Sequence, residues 1–251
     1  MRKKQTYDSI FMNLGDTMQR YFIKNNQIQV DDLHHIKHVM RMKTGDMVEL
    51  CDETGVCYLA QLNLDSNPIS FVKMNVINQD ETKPQVTLIQ GIGKGDKNEF
   101  VVKYATQFGA DEIIFVEMKR SIAKMDHESF EKKKERYQKI AVESARLAHR
   151  NTVPVVSFLS NLKQLNHSYN YAYIAYENTK NETFLDKLLA IKKAESITLL
   201  IGPEGGIDES EIALLNDKGF ITVGLGNRIL QTEVASLYGL SLIDAVLETK
   251  R

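Results

Sequence analysis

A chain of 251 residues, 43% hydrophobic and 26% charged, has the makeup of an ordinary globular protein with room for one or two domains. A formal net charge of −1 excludes a molecule whose whole field is built for a polyanion, so any nucleic-acid surface must be a local basic patch. No stretch approaches the roughly 18 apolar residues of a membrane helix, and no apolar segment follows the basic start MRKKQ, so no membrane partner and a cytoplasmic location are expected.

Residues 1–17 carry three basic and two acidic side chains. Short strand patterns then dominate: RYFI (20–23), DMVELCD (46–52), VCYLAQL (56–62) and ISFVKMNVI (69–77), separated by turn residues such as Glu53-Thr54-Gly55 and Ser66-Asn67-Pro68. One helix interrupts them. Residues 31–45 start with Asp, place Leu33, Ile36, Val39 and Met40 at helical spacing, and end on Gly45. Together these elements predict a small β-barrel-like domain. Cys51 and Cys57 fall on the two arms of a predicted hairpin, and with no export signal they are expected to be free thiols.

The polar stretch INQDETKPQ (77–85) marks a boundary. Beyond it, strands and helices alternate: QVTLIQG, a helix near NEFVVKYATQFGA, EIIFVE, a long charged helix, YAYIAYE, the helix ETFLDKLLAIKKA, ITLLIG, DESEIALLNDKG, ITVGLG and a closing helix from Thr232. This rhythm predicts a mostly parallel sheet covered by helices, with ligands beyond the carboxyl ends of its strands.

Two glycine-rich strand ends stand out there, IGPEGG (201–206) and GLGNRIL (224–230). Glycines leave backbone groups unobstructed, as a ligand held by main chain requires. The plainer reading of the first is a tight turn before a helix started by Asp208 and Glu211. The loop QGIGKGDK also follows a strand, but it lacks the Lys-Ser/Thr of a nucleotide-binding loop, and Asp96 stands where a dinucleotide fingerprint needs its third glycine. It is left as either a solvated turn or a phosphate-touching lip carrying Lys94 and Lys97. His34 and His38 share a helical face near Arg41 and lack a third ligand, so no metal is expected.

In this order and spacing, MQRYFI, HHIKHVMRMKTGD, QGIGKGDKNEFVVKYATQFGADEI, ERYQKIA, RNTVP, IGPEGG and LGNRIL-TE resemble the RsmE-type 16S ribosomal RNA uracil-N3 methyltransferases of the SPOUT superfamily. The resemblance runs from Met18 to the C-terminus and leaves residues 1–17 outside it. It implies an α/β protein with a PUA-like, RNA-gripping β-barrel domain over residues 18–80 and an α/β methyltransferase domain over 85–251 that ends in a trefoil knot. S-adenosylmethionine would lie between Leu200, Ile201, Gly202, Pro203, Glu204 and Gly205 on one side. Leu225, Gly226, Ile229, Leu230, Gln231 and Thr232 would face them. Arg228 would orient substrate or cofactor, and Glu233 would order the knot loop or the partner subunit. Arg20, His34, Arg41, Lys94, Lys97 and Arg150 are the residues expected to meet RNA. The resemblance further implies a homodimer acting on 16S rRNA of the small ribosomal subunit, at the family's target uridine 1498, without a metal.

The chain departs from the family pattern in places. Gln231 stands where Arg is common, Asn227 replaces the usual Pro, and Arg146, Leu147 and Ala148 replace Glu, Gln and Ser. Loss of a cationic fork at 231 removes a bidentate phosphate or carboxylate contact, so altered RNA affinity or slower catalysis is expected.

Overall fold

The structure, a computed structural model, describes residues 18–78, 83–165, 169–179, 182–193 and 195–250. The 1–17 extension lies outside them. The chain divides into two compact units, residues 1–80 and 81–251.

In the first unit, β1 (Arg20–Lys24), β2 (Gln27–Ile28), β3 (Met47–Cys51), β4 (Cys57–Asn63) and β5 (Ser70–Asn78) form one sheet in the order β2-β1-β3-β4-β5. Alternation along the strands puts Tyr21, Ile23, Val48, Leu50, Ala60 and Leu62 on a buried face, where Ile36 packs with them. Helix α1 (Val30–His34) widens into a single π-type turn at His35–Val39 and stops there, six residues short of Gly45. The reason is packing. Leu33 and Ile36 meet the sheet, while Val39 and Met40 are 59% and 39% exposed and give the last predicted turn nothing to bury. The amide of Met40 reaches back five residues to the His35 carbonyl, and Arg41 takes a left-handed φ of 54°. Gly45 instead leads into β3, its N–H donating to Leu62 O at 2.8 Å.

The cysteine expectation is overturned. Register sets Cys51 directly opposite Cys57 on antiparallel β3 and β4, and the two are joined in a disulfide with Cα atoms 4.0 Å apart. Hairpin geometry decides the pair, against a prior built on compartment alone. Denatured, unreduced protein is therefore expected to titrate no thiol, and Cys51→Ser to lower stability in urea by about 2 kcal/mol. Two titratable thiols would contradict the assignment.

The second unit contains six parallel strands: β6 (Gln85–Gly91), β7 (Glu112–Val116), β8 (Val155–Leu159), β9 (Tyr171–Ala175), β10 (Ser196–Ile201) and β11 (Ile221–Val223). Their order is β11-β9-β10-β6-β7-β8. Strand β8 is absent from the sequence reading. It is a five-residue edge strand with only Val156 and Phe158 buried, too brief a pattern to stand out after RNTVP. The helices are α2 (Lys97–Gln107), α3 (His127–Leu147), α4 (Phe184–Ala190), α5 (Glu209–Asp217) and α6 (Thr232–Thr249). Val86, Leu88, Leu199 and Ile201 share one core with Val102, Tyr137, Phe184 and Leu240 from α2, α3, α4 and α6. Ile89, Ile174 and Leu200 point the other way, toward Leu215 of α5 and Phe220. With both faces covered, the strands read as continuous apolar runs.

Topology places the site. After β6 the chain builds outward through β7 and β8, then fills the opposite side with β9, β10 and β11. The adjacent carboxyl ends of β6 and β10 are thus a switch point, where open parallel sheets leave a crevice. From the outer strand β11 the chain returns to α6, which packs on α2, β10 and β6. On the way, Gly224 is gripped by Glu182 and Phe184: its N–H donates to Glu182 O (2.8 Å) and its carbonyl accepts from Phe184 N (3.0 Å). A Cβ there would run into the Thr179 carbonyl oxygen, so this crossing admits only glycine.

Candidate functional site

At the switch point the backbones of β6 and the 202–206 turn touch. A Cβ on Gly91 would lie 2.5 Å from Pro203 N, so glycine is what lets the two strand ends close. A buried polar network then ties both to the start of α6. Gln90 Nε2 donates to Thr232 Oγ1 at 2.8 Å, and that hydroxyl donates to Gly202 O at 2.5 Å. Ser236 Oγ reaches Gln90 Oε1 and also the Thr232 carbonyl at 2.9 Å. Gln90, Thr232 and Ser236 are all buried.

Around this network lies a cleft of about 620 Å³, walled by the ends of β9 and β10, the 202–206 turn, residues 224–231 and the first turn of α6. The two glycine-rich strand ends therefore meet at one cavity. Of the residues assigned to a cofactor from sequence, Ile201, Gly202, Pro203, Glu204 and Gly205 line it. So do Leu225, Gly226, Ile229, Leu230, Gln231 and Thr232. Leu200 does not; strand alternation turns it to the opposite face. Arg228 also lines the cleft, exposed, and forms no ion pair among the described residues. Sequence reasoning missed Tyr176, Glu177 and Thr179, which form the cleft wall just past β9. The available signal was YAYIAYE, a third strand ending beside the other two.

The turn serves two purposes at once. Asp208 caps α5 by accepting from Ser210 N, with Glu211 completing the capping box, while residues 202–206 face the cavity. The Ser210 hydroxyl and amide, with Lys119 beside them, pull the Asp208 carboxyl down to about 2.

Lys97, read as an RNA contact, lies inside the cleft lining instead. Its ammonium is 3.1 Å from Glu233 Oε2 and 3.3 Å from Glu204 Oε1. The Glu233 carboxylate, aided by Glu204, raises its pKa above the ordinary lysine value. In the loop 91–96 the amides of residues 92–94 are taken by protein acceptors, Ile92 N by Val116 O (3.2 Å). Gly93 N donates to Asn98 Oδ1 (2.9 Å) and Lys94 N to Glu204 Oε1 (3.1 Å). The Lys94 side chain remains exposed.

Arg150 is 9% exposed at its side chain, with its guanidinium on Asp111 (2.6 Å) and on the carbonyls of Thr106 and Ala110. In the first unit Arg20 is 6% exposed and pairs with Glu49 at 2.8 Å. These two hold the fold from within. His34 and Arg41 are exposed, and the His34 ring lies against His38 with centroids 4.8 Å apart.

Residues 80–244 match the family model described as an RNA methyltransferase domain, and residues 28–72 match that of an RNA methyltransferase PUA domain. The ribosomal RNA small subunit methyltransferase E of Bacillus subtilis (strain 168) is 34% identical over 255 residues, covering 93% of this chain and 99% of that one. The chain belongs to the ribosomal RNA small subunit methyltransferase E family. A crystal structure of the Neisseria gonorrhoeae family member bound to S-adenosyl methionine is 26% identical, with a TM-score of 0.73 over 90% of this chain and 96% of that one. A crystal structure described as that of a hypothetical protein reaches 33% identity and a TM-score of 0.81 over 93% of this chain.

If the Thr232 hydroxyl joins the cleft walls, Thr232→Val strands Gly202 O without a partner and leaves Gln90 Nε2 only the Gly91 carbonyl at 3.0 Å. Urea denaturation should then show a loss of about 2 kcal/mol, with Thr232→Ser losing much less. Equal stabilities for the two variants would show the hydroxyl to be dispensable.

Proposed function

We propose that this chain transfers a methyl group from S-adenosylmethionine to N3 of a uridine in 16S ribosomal RNA, at the family's target uridine 1498, on the small subunit. The observation that carries the reading is the convergence of both glycine turns on one cleft of about 620 Å³, within the roughly 300–1,000 Å³ of small-molecule sites. The fit to an adenosyl cofactor rests on main chain. The N–H groups of residues 225–230 donate to no protein acceptor among the described residues, so they are free to meet polar ligand atoms. When bound, the cofactor supplies an electrophilic methyl on a sulfonium.

The chain's own part is positioning, which supplies much of the rate in a displacement of this kind. The 202–206 turn and residues 225–231 fix the donor, and exposed Arg228 at the cleft rim orients the incoming nucleotide. Glu233, held by Lys97, supports the first turn of α6. Exposed His34 and Arg41 of the first unit and Lys94 of the second are the side chains offered to phosphate. The exposed Gln231, in place of a family Arg, leaves Arg228 with a larger share of that contact. We further assign the return of residues 224–231 past Thr179, Glu182 and Phe184 to the family's knot, and exposed Ile229 and Val234 to a homodimer contact near α6. Among the described residues no helix is long and apolar enough to cross a membrane; it is the ribosomal substrate that assigns the protein to the cytoplasm.

Mass spectrometry of small-subunit rRNA nucleosides tests this reading. A deletion strain should lack N3-methyluridine, and the wild-type gene should restore it. Arg228→Ala should lower the methylation rate on purified subunits by about 10- to 100-fold, as a misplaced reactant does. Persistence of the mark in the deletion strain would reject the assignment.

A further inference from the structure

One cation in the cleft faces two anions from different chain segments. Glu204 belongs to the turn after β10, Glu233 to the first turn of α6, and both carboxylates lie within 3.3 Å of the Lys97 ammonium. Lys97 itself opens α2, after a loop pinned by Asn98, whose side chain accepts from Gly93 N (2.9 Å) and donates to Gly93 O (3.2 Å). Asn98 is buried, so the position from which Lys97 reaches out is rigid. The same loop grips Glu204 a second time through the Lys94 amide. Two carboxylates this close to one ammonium are close to each other, and without a cation between them they repel. The side chains are partly buried (32% exposed for Lys97, 20% for Glu204 and 13% for Glu233), so water screens that repulsion only in part.

We propose that Lys97 is a positioning residue for the methyl-transfer reaction: it neutralises Glu204 and Glu233 and so holds the 202–206 turn and the start of α6 at the separation the cofactor requires. This rests on the reading of the cleft as the cofactor site. It replaces the RNA-contact role expected for Lys97 from sequence. Burial alone would raise the Glu204 carboxyl; the Lys94 amide and the Lys97 ammonium outweigh it and keep the carboxyl below its ordinary value. The Lys97–Glu204 pair is thus charged across the physiological range.

The test is calorimetric titration of S-adenosylhomocysteine into the full-length protein and four variants, with methylation kinetics on purified small subunits. Lys97→Met should weaken cofactor binding about tenfold, by leaving two carboxylates without their cation, and should raise the cofactor KM more than it lowers kcat. Lys97→Arg should bind near the wild-type level. Adding Glu204→Gln to Lys97→Met should recover affinity, because glutamine still accepts from the Lys94 amide while one of the two repelling charges is gone; Glu204→Gln alone gives the reference. Lys97→Met binding as tightly as wild type, or a double variant weaker than Lys97→Met itself, would overturn the proposal. Failure of the wild-type protein to bind the homocysteine product would instead reject the cofactor site, and with it this inference.

Discussion

The Thr232 hydroxyl is the point on which the second unit's cleft is assembled. It accepts from Gln90, 142 residues earlier in the chain, and donates to Gly202, 30 residues earlier. Three segments that the chain makes at different times (the end of β6, the turn after β10 and the first residue of α6) are thereby fixed within hydrogen-bond range of one oxygen. Burial gives the arrangement its force. Each of these polar groups has left water behind, and one left without its partner costs about 1–3 kcal/mol. Apolar packing of α6 against β10 and α2 brings the segments near one another, but packing is tolerant of small shifts and a hydrogen bond is not. The contact of Gly91 with Pro203 belongs to the same constraint, since a side chain there would push the strand ends apart before the network could form.

Charge is arranged on a second level, around the rim. The cleft lining carries Glu177 and Glu204 against Lys97 and Arg228, and Glu233 reaches Lys97 from the first turn of α6. Lys97 is committed to two of the acids, leaving Arg228 as the cation that faces outward without an ion partner among the described residues. In the proposed reading one cation organises the walls and the other is available to a substrate. That division explains how a chain of near-zero net charge can act on RNA: the useful positive charge is local and placed at the cavity mouth.

Much of this was legible in the residues because parallel sheets write plainly. The runs QVTLIQG and ITLLIG read as buried strands, and the β-α-β-α rhythm puts the glycine turns after them at the carboxyl edge of the sheet. Two signals were too weak to read. VVSFL buries two side chains and lies on the edge, and the wall after β9 offers no glycine to announce it. Others were legible but weighed wrongly. The period of Leu33, Ile36, Val39 and Met40 promised a helix to Gly45, yet periodicity does not say how much sheet is available to cover the last turn. Lys97 and Arg150 read as RNA contacts because sequence shows charge without its partner; Glu204 and Glu233 lie more than a hundred residues from Lys97, and Asp111 is 39 residues from Arg150. Cys51 and Cys57 were placed on a hairpin, and register then did what a cellular average could not foresee.

The central claim, that the turns after β10 and β11 close on one adenosyl ligand, is tested most directly by a crystal structure of this protein with S-adenosylhomocysteine. The account predicts density for the ligand between residues 202–206 and 225–231, with the Gln90–Thr232–Gly202 hydrogen bonds intact beneath it. A ligand bound elsewhere, or a cleft filled by its own side chains when the ligand is present in excess, would contradict it.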